Sequence, residues 1–380
     1  MNRPARPGDP VTAIDTPALV IDLDAMERNL ARMAAFARDH RVRLRPHAKM
    51  HKSAELARQQ MAHGAVGVCV QKTAEAEALA AGGVSNIYIS NEVIAPAKLV
   101  RVAALALRLQ RDGGQLAIAV DSEHGVKALA EAMHHAHGAH IDVFIEIDVG
   151  HGRCGVPPGD TVLALARAIA PHRALRLAGL QAYHGSAQHR RAPAEREAAL
   201  ADAAQAVRDT RDLLIRHGFG PLLVTGAGTG TYALETASGL WGELQMGSYL
   251  FMDADYAANQ AAPHSPPFEH ALFVKAQVVS RQGDRAVCDA GHKSHAIDSG
   301  LPTVLVPTGL AFANGGDEHG VLRAVTPDAV LPAIGDTVWL IPGHCDPTVN
   351  LHDWLVGVRG GLQQGFVERL IRVDARGALT

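Results

Sequence analysis

A chain of 380 residues is too long for one small domain, and two domains is the natural reading. With 47% hydrophobic and 20% charged residues, the composition is that of a globular protein that folds in water. A net charge of −3 gives neither nucleic acid nor an anionic membrane surface a reason to bind. No apolar run approaches a membrane span, and the start of the chain, with Arg3 and Arg6, lacks the apolar stretch of a secretory signal. Cys69, Cys154, Cys288 and Cys345 are scattered, so neither a zinc knuckle nor a disulfide framework is indicated, and a reducing, cytoplasmic setting is expected. Histidine is abundant, at 21, but most of it (His134, His135, His137, His140) reads as surface or helix.

Ala18 to Leu23 reads as a short apolar strand. Asp24 to Asp39 then carries Met26, Leu30, Met33 and Phe36 at helical spacing, with Asp22 or Asp24 as cap. Further strands are predicted at Val42–Ala48, Gly67–Gln71, Asn86–Asn91, Gln115–Asp121, Ile141–Asp148, Leu177–Gly185, Leu222–Gly226 and Glu243–Leu250. Alanine-rich helical stretches such as Thr73–Ala81, Ser122–His135 and Ala192–His217 lie between them. Several strands are almost wholly apolar, as strands buried on both faces are. Eight such units are the arithmetic of an α/β fold of the (β/α)8 TIM-barrel type, typically ~250 residues long. A doubly wound sheet is the competing reading, but it has fewer strands and no polar ending on almost every one. Here the endings include Lys49, Gln71, Asn91, Glu92, Asp121, Asp148 through Arg153, Tyr183 and His184. Barrels keep their reactive groups at these C-terminal ends.

Ala262, Pro263, Pro266 and Pro267 mark a boundary, beyond which the helical pattern stops. His270–Ser280, Arg285–Ala290, Gly320–Val325, Asp336–Ile341, Trp354–Arg359 and Phe366–Val373 read as strands of a β-domain. The expected division is a barrel over 24–260 and a β-domain over 261–380, with 1–23 as an N-terminal segment.

Three clusters carry chemistry. In Arg45-Pro46-His47-Ala48-Lys49 the three cationic groups alternate, which in extended chain puts them on one face. Crowding of that kind lowers the pKa of a lysine and suits Schiff-base chemistry, although a solvated basic strand end fits the spacing equally well. Thr225-Gly226-Ala227-Gly228-Thr229-Gly230-Thr231 follows the seventh strand, where barrels often bind phosphate. A flexible βα turn is the plain alternative. His344 and Asp346, two apart in Pro342-Gly343-His344-Cys345-Asp346, would face the same way in extended chain, as two ligands of one ion do. One imidazole and one carboxylate suit Mn2+ first, with Mg2+ or Co2+ as alternatives, and leave coordination positions open.

These motifs, in this order from about Asp15 to Ala375, resemble the D-threonine aldolases, pyridoxal phosphate (PLP) enzymes of the alanine racemase-like fold. The resemblance implies that Lys49 carries PLP and that the 225–231 loop, including Thr225, Gly228, Thr229 and Gly230, binds its phosphate, with Gly247, Ser248 and Tyr249 after strand eight contributing. It implies Arg153 against the pyridine nitrogen, which a permanent cation keeps unprotonated. Tyr183 is then a stacking or hydrogen-bonding partner of the cofactor, and Gln71 a partner for the ring hydroxyl. The run Tyr183-His184-Gly185-Ser186-Ala187-Gln188-His189 matches the family and makes His189 the candidate general base. His-x-Asp matches the D-threonine aldolases, whereas the similar D-serine dehydratases have His-x-Cys with zinc. Cys345 therefore matters: if the strand bulges, its thiolate could replace Asp346. Asp317-Glu318-His319-Gly320 is a further polar cluster, either a support for the metal or an ordinary turn.

The resemblance also implies that the first strand packs on the β-domain and that the protein is a homodimer with shared active sites. The implied activity is metal-activated retro-aldol cleavage of D-threonine and other D-β-hydroxy-α-amino acids to glycine and an aldehyde. Alternatives are a D-serine or D-threo-3-hydroxyaspartate dehydratase, an amino-acid racemase, a non-catalytic PLP-binding barrel and, outside the family, a metal-dependent barrel hydrolase.

Overall fold

The near-continuous apolar runs do become strands with both faces covered. A computed structural model describes residues 3–261 and 267–380. After β1 (Ala18–Asp22) comes α1 (Leu23–His40), capped by Asp22, which accepts from the Ala25 amide at 3.1 Å. Then strand and helix alternate: β2 (Arg43–Leu44), α2 (Ala54–Ala62), β3 (Val68–Val70), α3 (Thr73–Ala81), β4 (Asn86–Ile89), α4 (Pro96–Arg111), β5 (Gln115–Val120), α5 (Glu123–His135). The second half continues with β6 (Ile141–Glu146), α6 (Asp160–Ile169), β7 (Leu175–Ala182), α7 (Pro193–Arg216), β8 (Leu223–Gly226), α8 (Tyr232–Ala237), β9 (Glu243–Leu244) and α9 (Ala254–Ala257). The eight parallel strands run β2-β9-β8-β7-β6-β5-β4-β3, and a bridge between His47 and Cys69 closes the ring. The first and last barrel strands are far shorter than Val42–Ala48 and Glu243–Leu250. Pro46 cannot donate to a ladder, and the chain winds into 3-10 turns at Ala48–Met50 and Ser248–Leu250.

Side-chain parity sorts the barrel. Ile87, Ile118, Val143, Ile145, Val224 and Leu244 face the helices. Cys69, Tyr88, Ala117, Ala119 and Phe144 cluster inside. The interior row also carries charge. Arg45 Nε meets Glu243 Oε1 at 2.9 Å, Arg43 Nη2 meets Glu243 Oε2 at 3.1 Å, and Arg45 Nη1 donates to Asn86 Oδ1 at 2.6 Å. Glu243 is fully buried and Arg45 nearly so. Removing Arg45 leaves the buried Glu243 charge only the half-exposed Arg43. Arg45→Met is therefore expected to destabilise the fold by roughly 3–5 kcal/mol, seen as a lowered urea midpoint.

The β-domain is built from β10 (Leu272–Gln282), β11 (Arg285–Cys288), β12 (Thr303–Val306), β13 (Leu310–Asn314), β14 (Gly320–Ala324), β15 (Thr337–Ile341), β16 (Trp354–Arg359) and β17 (Phe366–Arg372), with α10 (Cys345–Val349) between β15 and β16. Its sheet runs β13-β14-β11-β10-β1-β16-β17, with β15 joined to β10 and β12 to β15. The first strand thus lies inside this sheet, antiparallel to β10 with Ala18 opposite Lys275, and parallel to β16 with Val20 opposite Val356. β12 and β13 are absent from the sequence reading. The expected boundary residues Ala262, Pro263 and Pro266 lie outside the described residues. Among the described residues no helix is long and apolar enough to cross a membrane.

Candidate active site

The strand ends surround a cleft of about 310 Å³ at the C-terminal mouth of the barrel, and Asp346 of α10 reaches into it from the β-domain. Lys49 enters from the 3-10 turn after β2, where its amide donates to His47 Nδ1 at 3.3 Å. The structure corrects the extended reading. Arg45 is buried among barrel charges and shares no face with Lys49. Nor is the lysine pKa lowered by crowded cations. Burial is the largest single influence and acts in that direction, but the Asp346 carboxylate, 2.5 Å from Nζ, together with Tyr183 and Glu75 holds the pKa above the ordinary value. His47 is buried, and desolvation followed by the Lys49 charge pushes its pKa well down, so it is neutral. Its Nε2 lies 3.0 Å from the Gln71 amide nitrogen and 3.3 Å from Ser90 Oγ, which holds Gln71 at the cleft wall.

Arg153 and Tyr183 line the opposite wall, the guanidinium carbon 5.8 Å from the tyrosine ring centroid. Arg153 Nη2 is 3.8 Å from Glu146 Oε1. Asp148 does not pair with it. Its Oδ1 accepts from the amides of Gly150, His151 and Gly152 at 2.9, 2.9 and 3.1 Å and so shapes the loop.

The glycine-rich loop contributes only part of itself. Ala227, Gly228 and Thr229 face the cleft beside Gly247 and Ser248. The amides of Gly228, Thr229, Gly247 and Ser248 donate to no other described residue. A Cβ on Gly247 would lie 2.7 Å from the His47 carbonyl oxygen, and one on Gly228 2.4 Å from Gln188 Oε1. Such a cradle of free N–H groups fits a phosphate. Thr225, in contrast, is inside the barrel, where its hydroxyl donates to Glu243 Oε1 at 3.0 Å and accepts from Gln245 Nε2 at 2.7 Å. Gly230 gives its amide to Gln188 Oε1 at 2.9 Å. Tyr249 braces the loop from behind, its amide on Thr229 Oγ1 at 3.1 Å and its phenol on Gln60 in the core. None of these three lines the cleft, because strand parity or a backing contact takes each elsewhere.

Behind the loop, Gln188 Nε2 donates to Thr231 Oγ1 at 2.7 Å, which donates to Glu235 Oε1 at 2.8 Å. Glu235 Oε2 is buried without a partner, and burial pushes this carboxyl from 4.5 up to about 8. The folded state binds the proton more tightly than the unfolded one. Its support is therefore complete below about 4.5 and is lost as pH rises through about 8, at roughly 1.4 kcal/mol per unit. Glu235→Gln is expected to flatten that decline in urea midpoints measured from mildly acidic to alkaline pH.

His344 and Asp346 do converge, although not through extended chain. His344 is the residue before α10, and Asp346 sits in its first turn. His344 Nε2 lies 4.0 Å from Asp346 Oδ2, and Asp346 Oδ1 is buried without a hydrogen-bond partner. These donors fit a divalent cation between them. On its other side His344 Nδ1 meets Asp298 Oδ2 at 2.6 Å, a partner the sequence reading missed. Cys345 turns inward. Its thiol donates to the Met252 carbonyl at 3.3 Å, and its amide donates to Asp253 Oδ2 at 3.0 Å. It is no rival for Asp346. Of the 317–320 cluster, Asp317, Glu318 and His319 form an exposed turn before Gly320 opens β14; Asp317 pairs with His292 at 2.9 Å, and the turn does not touch the metal pair. His189 lies at the cleft rim, its ring 6.0 Å from that of the cleft residue Tyr256. Its Nδ1 is held by Asp255 Oδ2 at 2.6 Å.

The family description "Alanine racemase, N-terminal domain" matches residues 21–255. The chain belongs to the alanine racemase-like family. A second description, "Putative serine dehydratase domain", matches residues 271–358 of this alanine racemase-like chain. The chain is 46% identical to a D-threonine aldolase of Arthrobacter sp over 98% of its own length and 96% of the relative's. It is 42% identical to a 3-hydroxy-D-aspartate aldolase of Paracoccus denitrificans (strain Pd 1222) over 98% and 95%. The crystal structure of a D-threonine aldolase from Filomicrobium marinum superposes with a TM-score of 0.95 at 48% identity, covering 100% of both chains. The alanine racemase-like barrel here is thus that of a lyase.

Proposed function

We propose that the protein catalyses PLP- and divalent-metal-dependent retro-aldol cleavage of D-threonine and other D-β-hydroxy-α-amino acids to glycine and an aldehyde. The observation that carries this reading is the 2.5 Å approach of Lys49 Nζ to Asp346 Oδ2. An amine at the barrel mouth and a His–Asp pair on the β-domain then lie within one small substrate of each other. Lys49 would hold PLP, with Ala227, Gly228, Thr229, Gly247 and Ser248 around its phosphate, Arg153 at the ring nitrogen, and Gln71 and Tyr183 along the ring. PLP, when bound, supplies the electron sink for the pair left on Cα when Cα–Cβ breaks. A metal on His344 and Asp346, with Mn2+ the first choice, would bind the β-hydroxyl and acidify it.

The chain's own groups then handle the proton. Asp255 engages His189 at Nδ1, so Nε2 is the basic position, suited to take the β-hydroxyl proton directly or through water. His189→Asn is expected to keep the bound-cofactor colour and lose roughly 10²–10⁴-fold in turnover. Asp255→Asn should lose less, and its pH–rate profile should shift.

A dehydratase is the runner-up. The inward turn of Cys345 supports the aldolase over a His-x-Cys zinc site. Incubating D-threonine with Mn2+-loaded enzyme should give glycine and acetaldehyde; 2-ketobutyrate and ammonia would reassign the reaction, and epimerised threonine would make it a racemase. The homodimer belongs to the same proposal. Exposed Ile297 and Leu301, on the loop whose Asp298 meets His344, and exposed Val325, Val330 and Ile334 support it, and sedimentation velocity tests it.

A further inference from the structure

Three neighbouring barrel strands each send a carboxylate to the same spot behind Arg153. Glu92 follows β4 on the inward row of Tyr88 and Ser90. Asp121 follows β5 on the inward row of Ala117 and Ala119. Glu146 ends β6 on the inward row of Phe144. The 150–155 loop adds Cys154. One ligand atom from each of Glu92, Asp121 and Cys154 lies within 4.8 Å of the other two. Donors around an ion at roughly 2.0–2.6 Å have that mutual spacing.

Glu146 supplies the independent sign that a ligand belongs there. It is 4% exposed, and its Oε2 has no hydrogen-bond partner. Its neighbours are Glu92, close enough to share a proton, then Arg153 and Asp121. Both Glu92 oxygens are likewise buried, with the Glu146 carboxyl and the Cys154 thiol as their neighbours. The nearest cation to Glu146 in the ion-pair geometry is Arg153 at 3.8 Å, beyond hydrogen-bond reach.

We propose that Glu92, Asp121, Glu146 and Cys154 form a second divalent-cation site, separate from His344 and Asp346, that takes a borderline transition metal such as Zn2+ or Co2+. The thiol decides the class, since Mg2+ and Ca2+ select oxygen donors. On coordination the thiol gives its proton to solvent, as does any carboxyl still protonated, and the ion replaces those protons among the carboxylates. Filling the site frees Arg153 from the pull of Glu146 and lets its charge act toward the cleft.

The test uses the cofactor-loaded enzyme with His344→Ala, which removes the other proposed site, stripped with chelator and titrated with Co2+. One cobalt ion per chain and a near-ultraviolet thiolate-to-cobalt charge-transfer band in the difference spectrum are expected. Adding Cys154→Ser should abolish the band, and Glu92→Gln or Asp121→Asn should weaken cobalt binding by on the order of tenfold or more. The proposal is overturned if no cobalt binds, which would leave the carboxylates sharing protons, or if the band survives Cys154→Ser. It is equally overturned if the band needs Cys154 but is indifferent to both carboxylate changes, the sign of a bare surface thiol.

Discussion

Lys49→Ala should abolish turnover of D-threonine, by on the order of 10³-fold or more, and should leave no cofactor fixed to the protein by borohydride. The argument rests on position. Lys49 projects into the cleft beside the free amides of Gly228, Thr229, Gly247 and Ser248. Lys52, one turn on, cannot take its place, because it is buried and ion-paired with Glu75 at 2.8 Å. Lys72 also lines the cleft and is the rival amine. Peptide mapping of the reduced wild-type protein separates them. A label on the Lys72 peptide would remove Lys49 from the role assigned to it.

His344→Ala and Asp346→Ala should each lower turnover by roughly 10²–10³-fold with the cofactor still bound. Chelation of the wild type should do the same and be reversed by Mn2+. The pair has few substitutes, since Cys345 is turned away and Asp253 is committed to the amides of Cys345 and Tyr256, both at 3.0 Å. Asp298→Asn offers a finer test. Its carboxylate fixes the His344 ring through Nδ1 and leaves Nε2 as the ligand atom. Its loss should weaken metal binding roughly 10–100-fold while sparing the cofactor. Full activity of a metal-stripped enzyme would defeat the metal half of the proposed function.

The barrel was legible because its strands are covered on both sides and read as apolar runs; β5, apolar and buried from Leu116 to Val120, is the clearest. The β-domain was less so. In β13, Leu310 and Phe312 are buried while Ala311, Ala313 and Asn314 face out, a weak alternation bounded by Gly309 and Gly315. Both ends of the reaction cleft were read as extended where the chain turns. Pro347, two residues into α10, was the available signal of helical entry, since proline is tolerated in a first turn, while Pro46, ahead of the His47 cap, marks only the end of the β2 ladder. The Arg45–Glu243 pair joins residues far apart in sequence, and Asp298 reaches His344 from a separate loop. No local pattern encodes either contact. Thr225 shows the limit of motif reading in another way. It opens a phosphate-like signature, yet the pleat of β8 sends its hydroxyl into the barrel.

The place of β1 between β10 and β16 has a bearing on biogenesis. On the ribosome the first strand emerges long before either neighbour exists, while the barrel behind it can already close. The sheet that presents His344 is then finished only near the end of translation, with an early-made strand at its centre. Expressing residues 24–380 alone should leave a gap in mid-sheet, whereas moving the 18–22 segment to the far terminus would also have to reverse its covalent link to α1.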